Sequence, residues 1–155
     1  MSNQIKRYFD EEWILAKAEY SLNQKPVHIT DKIAPMSEGG PHDYYSNGDY
    51  WWPNPNTSDG LPYINRDGKT NPDNFNDHRL ILRKMRTNVA NLAAGYYITK
   101  EEKYAEKAVA FLKGFFLDPN TRMNPHLLYA QAIPGVCSGR GIGIIDTLHL
   151  IDQIG

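Results

Sequence analysis

Between His42 and Asn56 the chain reads HDYYSNGDYWWPNPN, a run of tandem aromatics interleaved with Asn, Asp and His. Flat Trp and Tyr faces stack on the apolar face of a pyranose ring, while amides and carboxylates take its hydroxyls, so these residue types together make a sugar site. His42, Tyr44, Tyr50, Trp51 and Trp52 are its candidate contacts. The competing account is that Trp51 and Trp52 plug a gap beneath a loop. Neighbours on extended backbone point to opposite sides, so one of the pair is expected to fill that gap and the other to face a ligand. Arg66 and Arg140 lie in polar, glycine-bearing sequence. A guanidinium clamps a carboxylate with two parallel hydrogen bonds, which suits a uronic acid. Their alternative role is a structural ion pair with Asp49, Asp67 or Asp146. Gln131 and Asn124 add polar contacts from a second irregular stretch, 119–139.

The elements that must position these groups are helical. Phe9, Trp13, Ala16 and Tyr20 recur at steps of four and three, with Asp10, Glu11 and Glu12 in the first turn, and predict a helix over 9–22. Prolines at 26, 35, 41, 53, 55, 62 and 72 and glycines at 39, 40, 48, 60 and 68 exclude a long helix over 25–76. Asn47-Gly48, Asp59-Gly60 and Asp67-Gly68 mark reversals there. Linkers are poor in aromatics, and this stretch is rich in them, so it reads as an ordered functional loop. Leu82, Met85, Val89, Leu92 and Tyr96 form one stripe, and Tyr104, Ala108, Phe111 and Phe115 another, predicting a helical hairpin over 77–118. Thr99 and Glu102 have the spacing of a capping box for its second helix. Asp118-Pro119 stops that helix, and so short a turn makes the two antiparallel. A last helix over 140–154 is expected to carry Ile144, Ile145, Leu148 and Ile151 inward, with an apolar face that awaits another helix.

The 155 residues, 41% apolar and 23% charged, fit one ordinary globular domain. A net charge of -1 offers nothing to nucleic acid or an anionic membrane, so an acidic ligand must be met by local basic residues. Cys137 stands alone, which excludes an internal disulfide and leaves a small buried hydrophobe as its plainest role. No apolar stretch approaches the ~20 residues of a membrane span, and the first residues lack the apolar segment of a secretory signal. Gly139 to Gly143 follows no strand and lacks the Lys and Ser/Thr of a phosphate loop. Aligning Gly68 with a calcium-loop glycine puts Tyr63 and Asn74 where carboxylates are required. The histidines at 28, 42, 78, 126 and 149 lack metal-ligand spacing, so no metal or other cofactor is expected. The sequon at Asn56-Thr-Ser58 is read as chance, and no serine nucleophile elbow occurs.

Taken in order, residues 41–55 (PHDYYSNGDYWWPNP), 59–68 (DGLPYINRDG) with Asn71-Pro72, 96–105 (YYITKEEKYA), 123–134 (MNPHLLYAQAIP) and 139–146 (GRGIGIID) resemble the alginate lyase superfamily of polysaccharide lyases. The resemblance covers most of the chain from Pro41 onward, and its first and last pieces are the specific ones. It implies an all-α fold, part of an (α/α) toroid of antiparallel helical hairpins with a groove for polymer, here an incomplete domain over 1–155. It implies β-elimination on a uronate polymer: the carboxylate is neutralised, a base removes the neighbouring proton, and an acid protonates the leaving oxygen. Tyrosine commonly moves the protons in that scheme, and no metal takes part.

The positions carried over are binding ones: His42, Tyr44, Tyr50, Trp51, Trp52, Arg66, Gln131 and Arg140. Tyr44, Tyr45 and Arg140 are the candidates for catalysis itself. The family's Asn-Asn-His segment and the tyrosine after it have no match here, so the chain is expected to act as an N-terminal piece that binds without cleaving. Its partner is then an acidic polysaccharide, and its unmatched helical faces are expected to promote self-association. The resemblance implies a periplasmic or secreted protein, while the lack of a signal leaves the cytoplasm open. Two other readings stand beside it. One is a non-catalytic carbohydrate-binding module. The other is a toroid glycoside hydrolase, whose two opposed carboxylates would come from Asp43, Asp49, Asp59 and Asp67, all crowded in one turn-rich loop.

Overall fold

Two apolar stripes at helical spacing meet to form the centre of the molecule. The computed structural model describes residues 10–153, with backbone alone at 149 and 151–153. Helix α1 spans Glu11–Leu22, α2 Asp77–Thr99 and α3 Glu102–Phe116. Leu82, Met85, Val89 and Leu92 of α2 pack against Tyr104, Ala108, Phe111 and Phe115 of α3, all buried. This is the predicted antiparallel hairpin. Its turn differs from the expected capping box. Thr99 remains the last residue of α2, donating its hydroxyl to the Gly95 carbonyl and accepting from the Glu101 N–H. Lys100 takes a left-handed φ of 61°, and Glu101 becomes the N-cap of α3. A two-residue turn leaves Thr99 inside the preceding helix, where it cannot cap the next.

Helix α1 starts as expected, with Asp10 accepting from the Trp13 N–H at 3.2 Å and Glu11 and Glu12 in the first turn. Its buried face is not the expected one. Ala18 and Ser21 are buried, whereas Trp13 and Tyr20 are 59% and 62% exposed and Ala16 is exposed. The reason is close approach: a Cβ at Gly95 of α2 would lie 2.6 Å from the Ala18 Cβ, so α1 meets α2 through small side chains. Asn91 then donates to the Ser21 hydroxyl at 3.1 Å. Phe9 lies outside the described residues.

The long loop carries short strands, so the architecture is helical with small strand pairs. Strand β1 (Tyr45–Asn47) runs parallel to β4 (Tyr129–Ala132), joining the two irregular regions, and β2 (Trp51–Trp52) pairs antiparallel with β3 (Ile64–Asn65). Side-chain amides knit the loop together: Asn71 donates to the Trp51 carbonyl, Asn74 to the Gly48 carbonyl, and Asn47 accepts from the Phe75 N–H. Of these, Asn47 lies in the segment expected to take sugar hydroxyls, and it satisfies a backbone group instead.

Residues Gly141–Gln153 form a 3-10 helix, not an α-helix. Its repeat of three gives three faces. Gly143 and Asp146 face inward, both buried. Ile144, Ile145 and Leu148, expected inside, are 69%, 50% and 54% exposed. The side chain of Ile151 lies outside the described set. Leu150 packs partly against the core.

His78 ties the loop to the hairpin. It is 2% exposed, its Nδ1 accepts the Tyr45 N–H at 3.0 Å, and its Nε2 donates to the Lys32 carbonyl at 2.9 Å. Those partners fix a neutral tautomer, and burial lowers its pKa from the ordinary 6.5. The unfolded chain therefore binds the proton first. This contribution to stability is complete above about pH 6.5 and is lost as pH falls through the lower folded value. His78→Ala is expected to cost roughly 2 kcal/mol in urea unfolding at pH 8 and to flatten the fall in stability between pH 7 and 5.

Candidate functional site

The cleft is built outward from one buried carboxylate. Asp146 accepts from the Ser46 hydroxyl at 2.6 Å, the Tyr44 phenol at 3.1 Å and the Gln131 amide at 3.2 Å, and lies 3.5 Å from the Arg79 guanidinium. Arg79, at the start of α2, also donates to Asp49 at 2.8 Å. Burial works against the Arg79 charge, but the hydrogen bond to Asp49 and the charges of Asp146 and Asp49 outweigh it and raise its pKa. Burial, then the Asp146 charge, pushes the Tyr44 phenol well above its ordinary value. Tyr44 is thus a protonated donor fixed under the cleft floor.

Gln131 of β4 passes this order to the next arginine. Its N–H donates to the Ser46 hydroxyl, its carbonyl accepts from Arg140 Nε at 2.8 Å, and its side-chain oxygen accepts from Arg140 Nη2 at 3.2 Å. Making all these contacts holds Gln131 at a left-handed φ of 56°. A Cβ at Gly48 would stand 2.7 Å from both Arg140 Nη2 and Trp51 Cδ1, so this glycine lets guanidinium and indole close together at the turn between β1 and β2. The result is a cleft of about 450 Å³ walled by Tyr50, Trp51, Asn65, Arg79, Arg83 and Arg140, with Asp49, Gln131 and Asp146 also on its lining. Arg140 is gripped by neutral oxygens and, among the described residues, has no carboxylate partner, in contrast to Arg79. Among the described residues no three His, Cys, Asp or Glu side chains are grouped to hold a metal.

Residues 28–155 match the family model described as alginate lyase. The chain belongs to the alginate lyase family. A crystal structure of an alginate lyase from Bacteroides ovatus is 44% identical to it, with a TM-score of 0.79, the match covering 90% of this chain and 37% of that one. The chain thus spans little more than a third of that lyase's length. Comparison with curated proteins gives no match.

Among the positions that the family pattern assigned to binding, Tyr50, Trp51, Gln131 and Arg140 come together at the cleft. Trp52 turns the other way, as the strand alternation requires: its indole N–H donates to the Lys69 carbonyl and Arg66 lies 5.0 Å above its ring. His42 bonds the Arg122 carbonyl at 2.7 Å, and Asn124 bonds Asp43, both away from the cleft lining. Tyr45 is buried, edge-on to Phe75, and its hydroxyl accepts from Asn47. The ion pair weighed for Arg66 or Arg140 is made instead by Arg79. Arg79, Arg83 and Asn65 went unnoticed in the sequence. Arg79 and Arg83 did carry a signal, since spacing of four puts both guanidinium groups on one helix side. Among the described residues no helix is long and apolar enough to cross a membrane.

Asp146→Ala leaves Arg79 without its buried partner, and removing one side of such a pair costs roughly 3 kcal/mol. Urea unfolding is expected to show that loss, and amide exchange after Arg140 is expected to accelerate because the terminal helix loses its anchor.

Proposed function

We propose that this protein is a polysaccharide lyase acting on uronate polymers, alginate or a glucuronan-like chain, by β-elimination, and that this chain supplies the substrate-binding part of an (α/α) toroid. One observation carries the reading: Arg140 presents a charge that no carboxylate among the described residues pairs, on the same wall as Tyr50 and Trp51. The aromatic pair takes the sugar face, and the guanidinium takes the uronate carboxylate. Neutralising that carboxylate makes the proton beside it easier to remove, which is what elimination needs. Tyr44 and Tyr45 are buried with their hydroxyls committed, so neither is placed to abstract it. In this reading the proton-transfer groups are the family's Asn-Asn-His and tyrosine, and the chain alone binds without cleaving. Such polymers are met in the periplasm or outside the cell, which is where the reading puts the protein. Copies of the chain would associate through the exposed apolar face at Ile144. A hydrolase would need a protonated acid opposite a carboxylate, whereas the two cleft carboxylates, Asp49 and Asp146, share the Arg79 guanidinium.

The test is calorimetric titration with oligoalginate, alongside ultraviolet absorbance for the unsaturated uronate. The expected result is binding with no absorbance rise. Arg140→Gln is expected to weaken binding at least about tenfold, the loss of one charge-assisted contact. Trp51→Ala should weaken it clearly, and Trp52→Ala far less, because Trp52 faces Arg66. A rise in absorbance that disappears in Tyr44→Phe would place the base within these residues and overturn the division of labour.

A further inference from the structure

The long loop is rich in asparagines, and the protein spends several of them on itself. Asn47 donates to the Tyr45 hydroxyl and accepts from the Phe75 N–H. Asn71 donates to the Trp51 carbonyl and accepts from the Asp73 N–H. Asn74 donates to the Gly48 carbonyl, and its side-chain oxygen accepts from Asn71. Two amide side chains line the cleft, and one of them, Gln131, is committed to Asp146 and Arg140. Asn65 is the other. It is exposed, and among the described residues its amide has no hydrogen-bond partner.

Strand register places this amide. Asn65 of β3 lies opposite Trp51 of β2, and next to them the Arg66 N–H donates to the Tyr50 carbonyl at 2.8 Å. Trp51 and Asn65 are therefore the non-hydrogen-bonded pair beside that bond, where opposed side chains stand closest and share one face of the ribbon. Both line the cleft, so that face is the cleft wall. Trp51 is thus flanked by two different groups. Arg140 approaches its Cδ1 edge over Gly48, and the Asn65 amide stands across the strand pair.

A sugar ring lying flat on an indole turns its hydroxyls sideways, toward whatever stands at the edge of the ring. A carboxamide there offers an acceptor and a donor side by side. Two hydroxyls on adjacent carbons complete both, one donating to Oδ1 and the other accepting from Nδ2. An esterified hydroxyl has no proton to give, so it leaves Oδ1 unanswered and adds bulk. A site that hydrogen-bonds a hydroxyl rejects an analogue that cannot reciprocate, because its own polar group is left unpaired. We infer that Asn65 is a specificity-determining residue, which reads the free vicinal hydroxyls of the sugar stacked on Trp51 and discriminates against the same sugar when those hydroxyls are acylated. The inference rests on the polyuronate reading of the cleft and adds which edge of the sugar is read, and by which residue.

The experiment is calorimetric titration with one oligoalginate preparation before and after chemical O-acetylation. The wild-type chain is expected to bind the free form at least roughly fivefold more tightly, the worth of one hydrogen bond. Asn65→Leu keeps the size of the side chain and removes both polar atoms. It is expected to weaken binding of the free form about fivefold and to leave the acetylated form nearly unchanged, so that the preference collapses. Asn65→Ala is expected to weaken the free form likewise, while making room for the acetyl groups. Asn56→Ala, at an exposed loop asparagine off the cleft lining, serves as the control and changes neither affinity. Free oligoalginate bound as tightly by Asn65→Leu as by the wild type, or a preference that survives both substitutions, overturns the role of Asn65 and leaves the polyuronate cleft standing. Failure of the wild-type chain to bind free oligoalginate overturns both.

Discussion

Asp146 is 5% exposed, yet its carboxylate meets a phenol, a hydroxyl, an amide and a guanidinium drawn from β1, β4, α2 and the residue before β1. A carboxylate can be buried only where such partners exist, since an unpaired charge in that position is prohibitively costly. The partners lie on elements already fixed by the hairpin and by the parallel β1–β4 pair. The terminal segment must therefore present Asp146 at one place and one angle. Gly143 is the other inward residue, and a Cβ there would stand 2.6 Å from the Ala130 Cβ. A repeat of three brings both residues to the same side and holds the helix tight against β4. The exposed isoleucines follow from this: the polar anchor sets the rotation of the helix, and the apolar residues take the faces left over.

The same carboxylate sets the arginines into distinct roles. By engaging Arg79 and the Gln131 amide, Asp146 fixes Gln131 in a backbone conformation that a non-glycine residue adopts at a cost on the order of 1 kcal/mol or more. That conformation turns the Gln131 carbonyl and side-chain oxygen toward Arg140 together. Two acceptors on one residue hold the planar guanidinium in one orientation, so little side-chain freedom remains to be lost when an anion arrives. Strain at Gln131 is thus coupled to order at the cleft wall.

What the sequence disclosed follows from which force sets each element. The hairpin was legible because long apolar stripes at steps of three and four decide its packing, and Leu82, Met85, Tyr104 and Phe111 obey them. Helix α1 was misread because its contact is made by Ala18, Ser21 and Gly95, small residues that carry no hydropathy signal, while its aromatics lie outside. The terminal helix was legible as helix and misread in rotation, because a period of 3.6 was assumed where Asp146 imposes three. At the cleft, Tyr50, Trp51, Gln131 and Arg140 were visible as residue types on irregular backbone. Tyr44 and Asn47 are turned inward because the same polar chemistry that binds a sugar also satisfies buried carboxylate and backbone groups. Arg79 and Arg83 were hidden because α2 was read only for its apolar stripe.

Arg79 and Arg140, two of the three arginines lining the cleft, show why residue type alone does not assign recognition. Arg79 shares two carboxylates, 2.8 and 3.5 Å away, and its field is largely cancelled within the protein. Arg140 is held just as firmly, but by the oxygens of an amide and a peptide, which orient it without cancelling its charge. A protein of net charge -1 exerts no long-range pull on a polyanion. Attraction then has to arise within about one Debye length of the cleft, and a cation gripped by neutral dipoles beside Tyr50 and Trp51 supplies it there. On the proposed polyuronate reading, that placement would favour an acidic sugar over a neutral one of the same shape, because a neutral ring would fill the aromatic wall and leave the Arg140 charge unanswered.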